Sequence, residues 1–149
     1  MTLLELIKTI ESVASDQPCI KMIVENDIFR LNNRSDAVYG VFAFVQGQHA
    51  TSVESNVITY YFTLIYADRL KNDRSNQIEI QSVGIQTLDN IIRKLDDMGI
   101  YADSEYTFQV FNQRFLDECA GVFCNVTLSV PVGSLCPETF DIRNDVIIY

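Results

Sequence analysis

His49 is the only histidine in the chain and therefore the only imidazole available as a general base. It lies in a polar stretch, residues 46–52, that also holds the hydroxyls of Thr51 and Ser52. A hydrolase would use such an imidazole to activate a hydroxyl, with a distant carboxylate to orient the ring. No G-x-S-x-G or comparable nucleophile motif surrounds these residues. The pattern therefore favours a solvated or interface histidine over a catalytic one.

Four cysteines are the next residues that could carry chemistry: Cys19, Cys119, Cys124 and Cys136. Their number would allow two disulfide bonds, but their neighbours are apolar and no secretory signal precedes them, which favours buried free thiols. No C-x-x-C pair occurs, so we expect no zinc site. No basic residue lies close enough in sequence to Cys119 or Cys124 to lower the pKa of either thiol.

Acidic side chains are numerous but scattered. Asp96 and Asp97 stand near the end of a helical pattern, and Asp16, Glu25 and Asp27 are spread as surface charges usually are, not paired for acid-base catalysis. No G-x-G-x-x-G or Walker motif is present to hold phosphates. The sequence thus predicts no catalytic residue, no cofactor and no metal site, and a protein that is not an enzyme.

The composition is that of a single globular domain. The 149 residues are 48% hydrophobic and 21% charged, and a chain of this length can bury one sizeable core. Eleven basic against twenty acidic residues give a net charge of −9, which disfavours binding to a nucleic-acid backbone. DNA could still pass an acidic surface that repels it. No apolar stretch approaches the roughly 20 residues that span a bilayer, and the N-terminus does not resemble a signal peptide, so we expect neither membrane association nor export.

The elements that must position any site begin with a helix. Thr2 and Glu5 form a capping-box pattern, an amphipathic run follows, and Pro18 ends it. Residues 19–31 are typical of a strand that is bent near Glu25. Residues 38–45 and 57–68 are apolar on both alternating faces, which predicts two central strands that pair antiparallel. The polar residues 46–56 between them predict a projecting loop.

The second half of the chain predicts a long helix and two further strands. Asn76 and Glu79 suggest another capping box, and apolar residues keep helical spacing from Ile80 until Gly99. Residues 105–112 and 122–130 alternate apolar and polar, as half-buried strands do. The predicted fold class is α+β: a mostly antiparallel sheet with an N-terminal helix and one long central helix packed on it. Residues 1–132 form the domain, and residues 133–149 a C-terminal tail that serves as an assembly arm.

The loop and the tail are the predicted contact surfaces. The tail ends in an apolar, β-prone run that could extend a sheet edge in this chain or in a neighbour. Tyrosines such as Tyr60 and Tyr61 suit either the core or an interface, and the pattern does not choose between them. The predicted interface residues are Gln46, Gln48, His49, Thr51, Glu54, Val146, Ile147, Ile148 and Tyr149.

Three short segments carry a resemblance: DIFRLN at residues 27–32, QGQH at residues 46–49 and SNQIEIQ at residues 75–81. They resemble a family of proteins in phages and prophages of gut Bacteroidetes, including crAss-like phages. The order of elements is similar to that of the tail-terminator and tail-completion proteins of tailed phages, and CAGVF at residues 119–123 resembles their late strand.

This resemblance implies a structural virion protein, made in the cytoplasm of the bacterial host, that forms a homo-oligomeric ring at the neck or tail end. Such a ring would contact portal-side or tail proteins and surround the path of the DNA without binding it specifically. Residues 46–56 would reach a neighbour or the lumen, and the tail would link subunits. Two other functions remain open. One is a monomeric adaptor or regulatory module that binds another protein by its sheet edge, and the other is a small hydrolase or transferase that uses His49 with a distant Asp or Ser.

Overall fold

The computed structural model of the chain describes residues 1–25, 40–53, 56–112 and 119–132. Helices and a mixed sheet are both present, which confirms the α+β fold class. Neither described helix is long and apolar enough to cross a membrane. In chain order the elements are α1 (Leu3–Ser15), β1 (Met22–Glu25), β2 (Val41–Val53), β3 (Val57–Arg69), α2 (Gln77–Asp97), β4 (Tyr101–Ala102), β5 (Phe108–Asn112) and β6 (Cys119–Pro131).

Helix α1 begins with the predicted capping box. The hydroxyl of Thr2 accepts a hydrogen bond from the backbone N–H of Glu5 at 3.2 Å, and the carboxylate of Glu5 accepts one from the N–H of Thr2 at 2.6 Å. These bonds satisfy two N–H groups that have no partner inside the helix. The hydrogen bond from the Thr2 backbone also lowers the pKa of Glu5. The helix ends with Asp16 at its C-cap, just before Pro18 as predicted.

The strands form one sheet in the order β1-β2-β3-β6-β4, with β5 pairing to β6 on the same side as β4. Every pairing is antiparallel except that of β1 with β2, which is parallel. β3 and β6 are paired along their whole length and lie at the centre. Of the strand predicted at residues 19–31, β1 is the described part, and residues 26–31 lie outside the described residues.

Both helices pack on one face of the sheet and form the main core with it. From the sheet this core takes Phe42, Phe44, Leu64, Cys124 and Leu128, each with no exposed surface. Burial of side chains of this size contributes roughly 1.5–3 kcal/mol each from the area removed from water. The helices contribute Leu6, Ile10, Val13, Ala14, Ile80, Leu88, Ile91, Ile92 and Leu95.

The opposite face of the sheet is apolar and buried only at the end where β1 lies. Its cluster consists of residues from β1, β2, β3 and β5. Residues 41–44 and 64–67 are therefore buried on both faces, which confirms the prediction of central strands there. The cluster comprises Val24, Val41, Ala43, Ile65, Ala67 and Phe111.

Helix α2 begins after Asn76, but the predicted capping box is wrong. The side chain of Asn76 makes no cap hydrogen bond and instead holds the preceding turn, where it accepts from the N–H of Lys71 at 2.9 Å and donates to the carbonyl of Arg69 at 3.1 Å. The side chain of Asn76 therefore stabilises the turn before α2 and not the N-terminus of the helix. At the other end, Gly99 has a φ of +83°, the left-handed conformation expected directly after a helix.

The stretch predicted as a projecting loop, residues 46–56, is mostly strand. β2 continues through Val53, β3 begins at Val57, and Asn56, in the intervening turn, has a φ of +59°. The polar side chains of this stretch resemble a loop in sequence, yet their backbone groups pair with β3 from Ala50↔Tyr60 to Val53↔Val57. The prediction fails because the pairing of a strand is set by its neighbour and not by its own polarity.

Candidate functional site

Only the first part of β2 is paired with a described strand along its outer edge. β1 covers residues 41–44 only, and among the described strands none pairs with the outer side of residues 45–53. Residues 48–53 are exposed on both faces, and we call these six residues the β2 edge. The stretch 45–53 contains no Lys, Arg, Asp, Glu or Pro. These are the residues that normally protect an edge strand from pairing with another chain.

An irregularity in the β2–β3 pairing shapes the start of this edge. Gln46 pairs with Phe62 and Ala50 with Tyr60, so the three residues between Gln46 and Ala50 face Tyr61 alone. A bulge of this kind redirects side chains and increases the local twist. Gly47 is required there, since a Cβ at this position would lie 2.9 Å from the Cβ of Tyr61.

Tyr61 gathers two of the predicted interface residues around it. The ring of His49 lies against the Tyr61 ring, with 4.4 Å between their centroids. The hydroxyls of Thr51 and Tyr61 are 3.3 Å apart. The sequence pattern does not choose between core and interface for Tyr61, and its position in the sequence gives no sign that the bulge places the His49 ring against it. The geometry identifies it as the organising residue of this surface.

The structure thus brings part of the predicted interface together. Gln48, His49 and Thr51 lie on the exposed β2 edge, while Gln46 is half-buried at its beginning. The remaining predicted residues, Glu54 and Val146, Ile147, Ile148 and Tyr149 of the tail, lie outside the described residues.

Beside the β2 edge, the helix-free face of the sheet is polar. A hydrogen bond of 2.8 Å joins the hydroxyls of Thr59 and Ser129, and the hydroxyl of Thr63 donates to the Oδ1 of Asn125 at 2.7 Å. These cross-strand pairs tie β3 to β6 through their side chains as well as their backbones. The helix-free face is therefore apolar and buried at the β1 end but polar and accessible at the β2-edge end.

The cysteines differ from the prediction in one case. Cys19 is exposed, which corrects the expectation that all thiols are buried, because the short segment after Pro18 leaves it at the surface. Cys119 and Cys124 are buried as expected, while Cys136 lies outside the described residues. Burial, with a further contribution from the charge of Asp89, raises the pKa of Cys124 to about 11.

This difference predicts selective thiol labelling. In a Cys136→Ser chain near pH 8, we expect Ellman's reagent to modify Cys19 rapidly and to leave Cys119 and Cys124 unmodified until denaturant is added, because only an accessible thiolate reacts. A Cys19→Ser, Cys136→Ser chain is the control and should show no rapid phase. Reaction of Cys124 at a rate comparable to that of Cys19 would contradict the burial described here.

Carboxylates do come together at the end of α2. Asp96, Asp97 and Asp103 line a cavity of about 500 Å³. Within the described residues, however, no group of three or more His, Cys, Asp or Glu side chains is arranged to hold a metal ion.

Asp89 accepts hydrogen bonds from two residues that line this cavity, Arg93 and Tyr106. Burial by itself would raise its pKa, but hydrogen bonds of 2.7 Å each from Arg93 and Tyr106 outweigh this effect and lower it. Burial, with further contributions from the hydrogen bond to Asp89 and from its charge, raises the pKa of Tyr106 to about 12. Asp89 is therefore an ionised carboxylate and not a proton donor. Its hydrogen bond with Tyr106 ties the segment before β5 to α2.

A second mixed-charge cavity, of about 410 Å³, lies between the start of β2 and the start of α2. It is lined by Cys19, Lys21, Tyr66, Lys71 and Glu79, among others. Burial, with the nearby charge of Asp68, strongly raises the pKa of Tyr66. The charged side chains that line this cavity are of both signs, so the cavity does not select one kind of ligand.

No protein-family model matches this chain, and no curated protein matches it either. The surfaces described above are therefore interpreted from their own geometry. Among them, the β2 edge is the one that pairs with no further described strand and carries no protecting charge.

Proposed function

We propose that this chain is a structural virion protein of a tailed bacteriophage. It forms a ring at the neck or tail end, in the manner of a tail terminator or head-tail joining protein, and works through protein-protein contacts. Its partners are further copies of itself and neighbouring portal-side or tail proteins. The observation that carries the proposal is the open, uncharged β2 edge.

An open edge of this kind is a backbone template. Its N–H and C=O groups can form a ladder with a strand of another chain, and soluble proteins usually prevent this with charges or proline. Residues 45–53 contain none of the twenty acidic and eleven basic residues of the chain, so no charge opposes such pairing along this edge. The composition of residues 45–53 thus supports a strand that pairs with another chain.

The sheet has a second edge at β4, and this edge lies in the same cross-strand rows as the β2 edge. Thr51 pairs with Thr59, Thr59 with Ser129, and Ser129 with Tyr101 of β4, so Thr51 and Tyr101 mark the two ends of one row. Tyr101 is 60% exposed. Contact between two different edges is head-to-tail, and a head-to-tail contact closes into a ring when the rotation between subunits allows it.

The charge of the chain is compatible with this role. A ring with a net charge of −9 on each subunit would repel a DNA duplex that passes through it, so the DNA would move without adhering to the wall. The protein would be made in the host cytoplasm and would reside in the virion.

The test is the solution mass of the full-length protein and of a Thr51→Lys variant, measured by light scattering over a wide concentration range. We expect a discrete oligomer for the wild type and a monomer for Thr51→Lys, because a charge in the middle of the edge opposes strand pairing. A Gln86→Lys variant, which adds the same charge on the exposed surface of α2, should assemble as the wild type does.

Two outcomes would contradict the proposal. The first is a wild-type protein that stays monomeric at every concentration and also after portal or tail components are added. That outcome would exclude a ring. In that case a monomeric adaptor that offers the same β2 edge to another protein becomes the better interpretation. Unchanged assembly of Thr51→Lys would instead show that the ring uses a different surface.

A further inference from the structure

The chain leaves the described fold next to the end of the β2 edge. The backbone N–H of Val132, directly after β6, donates to the carbonyl of Asn56 at 2.7 Å. Asn56 precedes β3, whose first residue, Val57, pairs with Val53 of the β2 edge. Residues 133–149 follow Val132 and lie outside the described residues. They therefore start beside this edge and not at the far end of the sheet.

Direction and length both allow these residues to follow the outer side of β2. β2 and β6 are each antiparallel to β3, so a chain that leaves β6 and turns back runs antiparallel to β2. A strand outside β2 lies three strand spacings from β6, roughly 14 Å. Residues 133–145 can span roughly 40 Å when extended, so they are long enough to place residues 146–149 there.

The run VIIY at residues 146–149 has the composition of a strand that needs a partner. It consists of β-branched and aromatic residues, which favour strands, and it contains no charge and no proline. The same absence of charge and proline marks residues 45–53. Each segment by itself is prone to pair with other chains, and pairing between the two satisfies the backbone groups of both.

The described surface next to the β2 edge is short of apolar cover. Ala50 pairs with Tyr60 and Ser52 pairs with Ile58. Ala50 and Ser52 are small, and the larger side chains with which they pair remain half-buried, although Tyr60 packs against the main core. Val53, at the end of the edge, is 48% exposed. An apolar strand beside the β2 edge would complete this cover, which is a reason independent of the composition of the tail.

We propose that residues 146–149 pair with the β2 edge of their own chain as an additional antiparallel strand. Side chains alternate between the two faces of a strand, and this run is apolar or aromatic at every position. Either register therefore places apolar side chains on the side of Tyr60 and Ile58. The edge of the same chain is the favoured partner, because a short connection holds the two segments at a high local concentration.

This pairing bears on assembly. In the proposed ring, a strand of another subunit and residues 146–149 compete for the same edge. The free subunit would thus keep its β2 edge covered until a partner displaces its own strand, which limits pairing with wrong chains. This consequence rests on the proposed function, whereas the pairing itself is a property of the single chain.

The test is hydrogen exchange of the full-length chain, read residue by residue by mass spectrometry along a dilution series that reaches the mass of a single chain. In an Ile147→Pro, Ile148→Pro chain, the N–H groups of residues 48–53 that point away from β3 should exchange at least about tenfold faster than in the wild type. Consecutive N–H groups of a strand point to opposite sides, so one of the two prolines removes a donor that faces β2 in either register.

A Thr139→Pro, Phe140→Pro chain is the matched control, since it adds the same two prolines within residues 133–145, and its edge should exchange as in the wild type. Rapid exchange of the edge in the single wild-type chain would overturn the proposal. Protection that appears only as the concentration rises would also overturn it, because another copy would then cover the edge, and it would support the ring. Protection of the single Ile147→Pro, Ile148→Pro chain equal to that of the wild type would assign the cover to a different segment and overturn the proposal as well.

Discussion

Replacing Gly121 with alanine is expected to lower the free energy of unfolding by about 3 kcal/mol or more. Gly121 lies in β6, where Ala67 of β3 and Phe111 of β5 pair with it on either side. A Cβ at this position would overlap the carbonyl oxygen of Tyr66 and lie 2.8 Å from the Phe111 ring. The first of these contacts is with backbone, so relief requires β6 to move away from β3.

Gly99→Ala is the matched control for this change. Gly99 also needs its lack of a side chain, but for a different reason: its φ is +83° and nothing lies within 4 Å of an added Cβ. We therefore expect a loss of only about 1 kcal/mol, from backbone conformation alone. Urea denaturation followed by circular dichroism measures both variants. Equal losses at the two positions would contradict the close packing of β6 against β3.

The second large effect is expected for Phe44→Ala, which should destabilise the fold by about 4 kcal/mol. Phe44 has no exposed surface, and its ring centroid lies 5.9 Å from that of Phe42 and 6.3 Å from that of Phe62. Removing the ring leaves a cavity beneath the helices and deletes two aromatic contacts. The same denaturation experiment measures the loss.

Val53→Ala, at the exposed end of the same strand, is the control and should change stability by no more than about 0.5 kcal/mol. If Phe44→Ala does not fold, Phe44→Leu provides the measurement, with an expected loss of about 1–2 kcal/mol. A loss for Phe44→Ala as small as that for Val53→Ala would mean that this end of β2 is not part of the core.

The sequence predicted those elements whose signal is local. The capping box at Thr2 and Glu5, the end of α2 before Gly99 and the apolar runs of β2, β3 and β6 all follow from side-chain chemistry within a few residues. β4 was missed because a strand of two residues exists only through its pairing with β6.

The candidate site was predictable only in part, for the same reason. Gln48, His49 and Thr51 stood out as polar residues between two apolar strands, and they are exposed as a contact surface requires. That they form a strand edge instead of a loop depends on β3, which no pattern within residues 46–53 reveals.

The central position of β6 has a consequence for the order in which this protein folds. β6 is the last described strand in the chain, yet it pairs with β3, β4 and β5, and its Ser129 bonds to Thr59 across 70 residues of sequence. Contacts this distant form slowly, because a large loop must close first. On the ribosome, α1, α2 and the β2–β3 hairpin can emerge early, but the edge of β3 that pairs with β6 stays unpaired until β6 emerges. The nascent chain is therefore most prone to aggregate just before β6, its last described strand, is released.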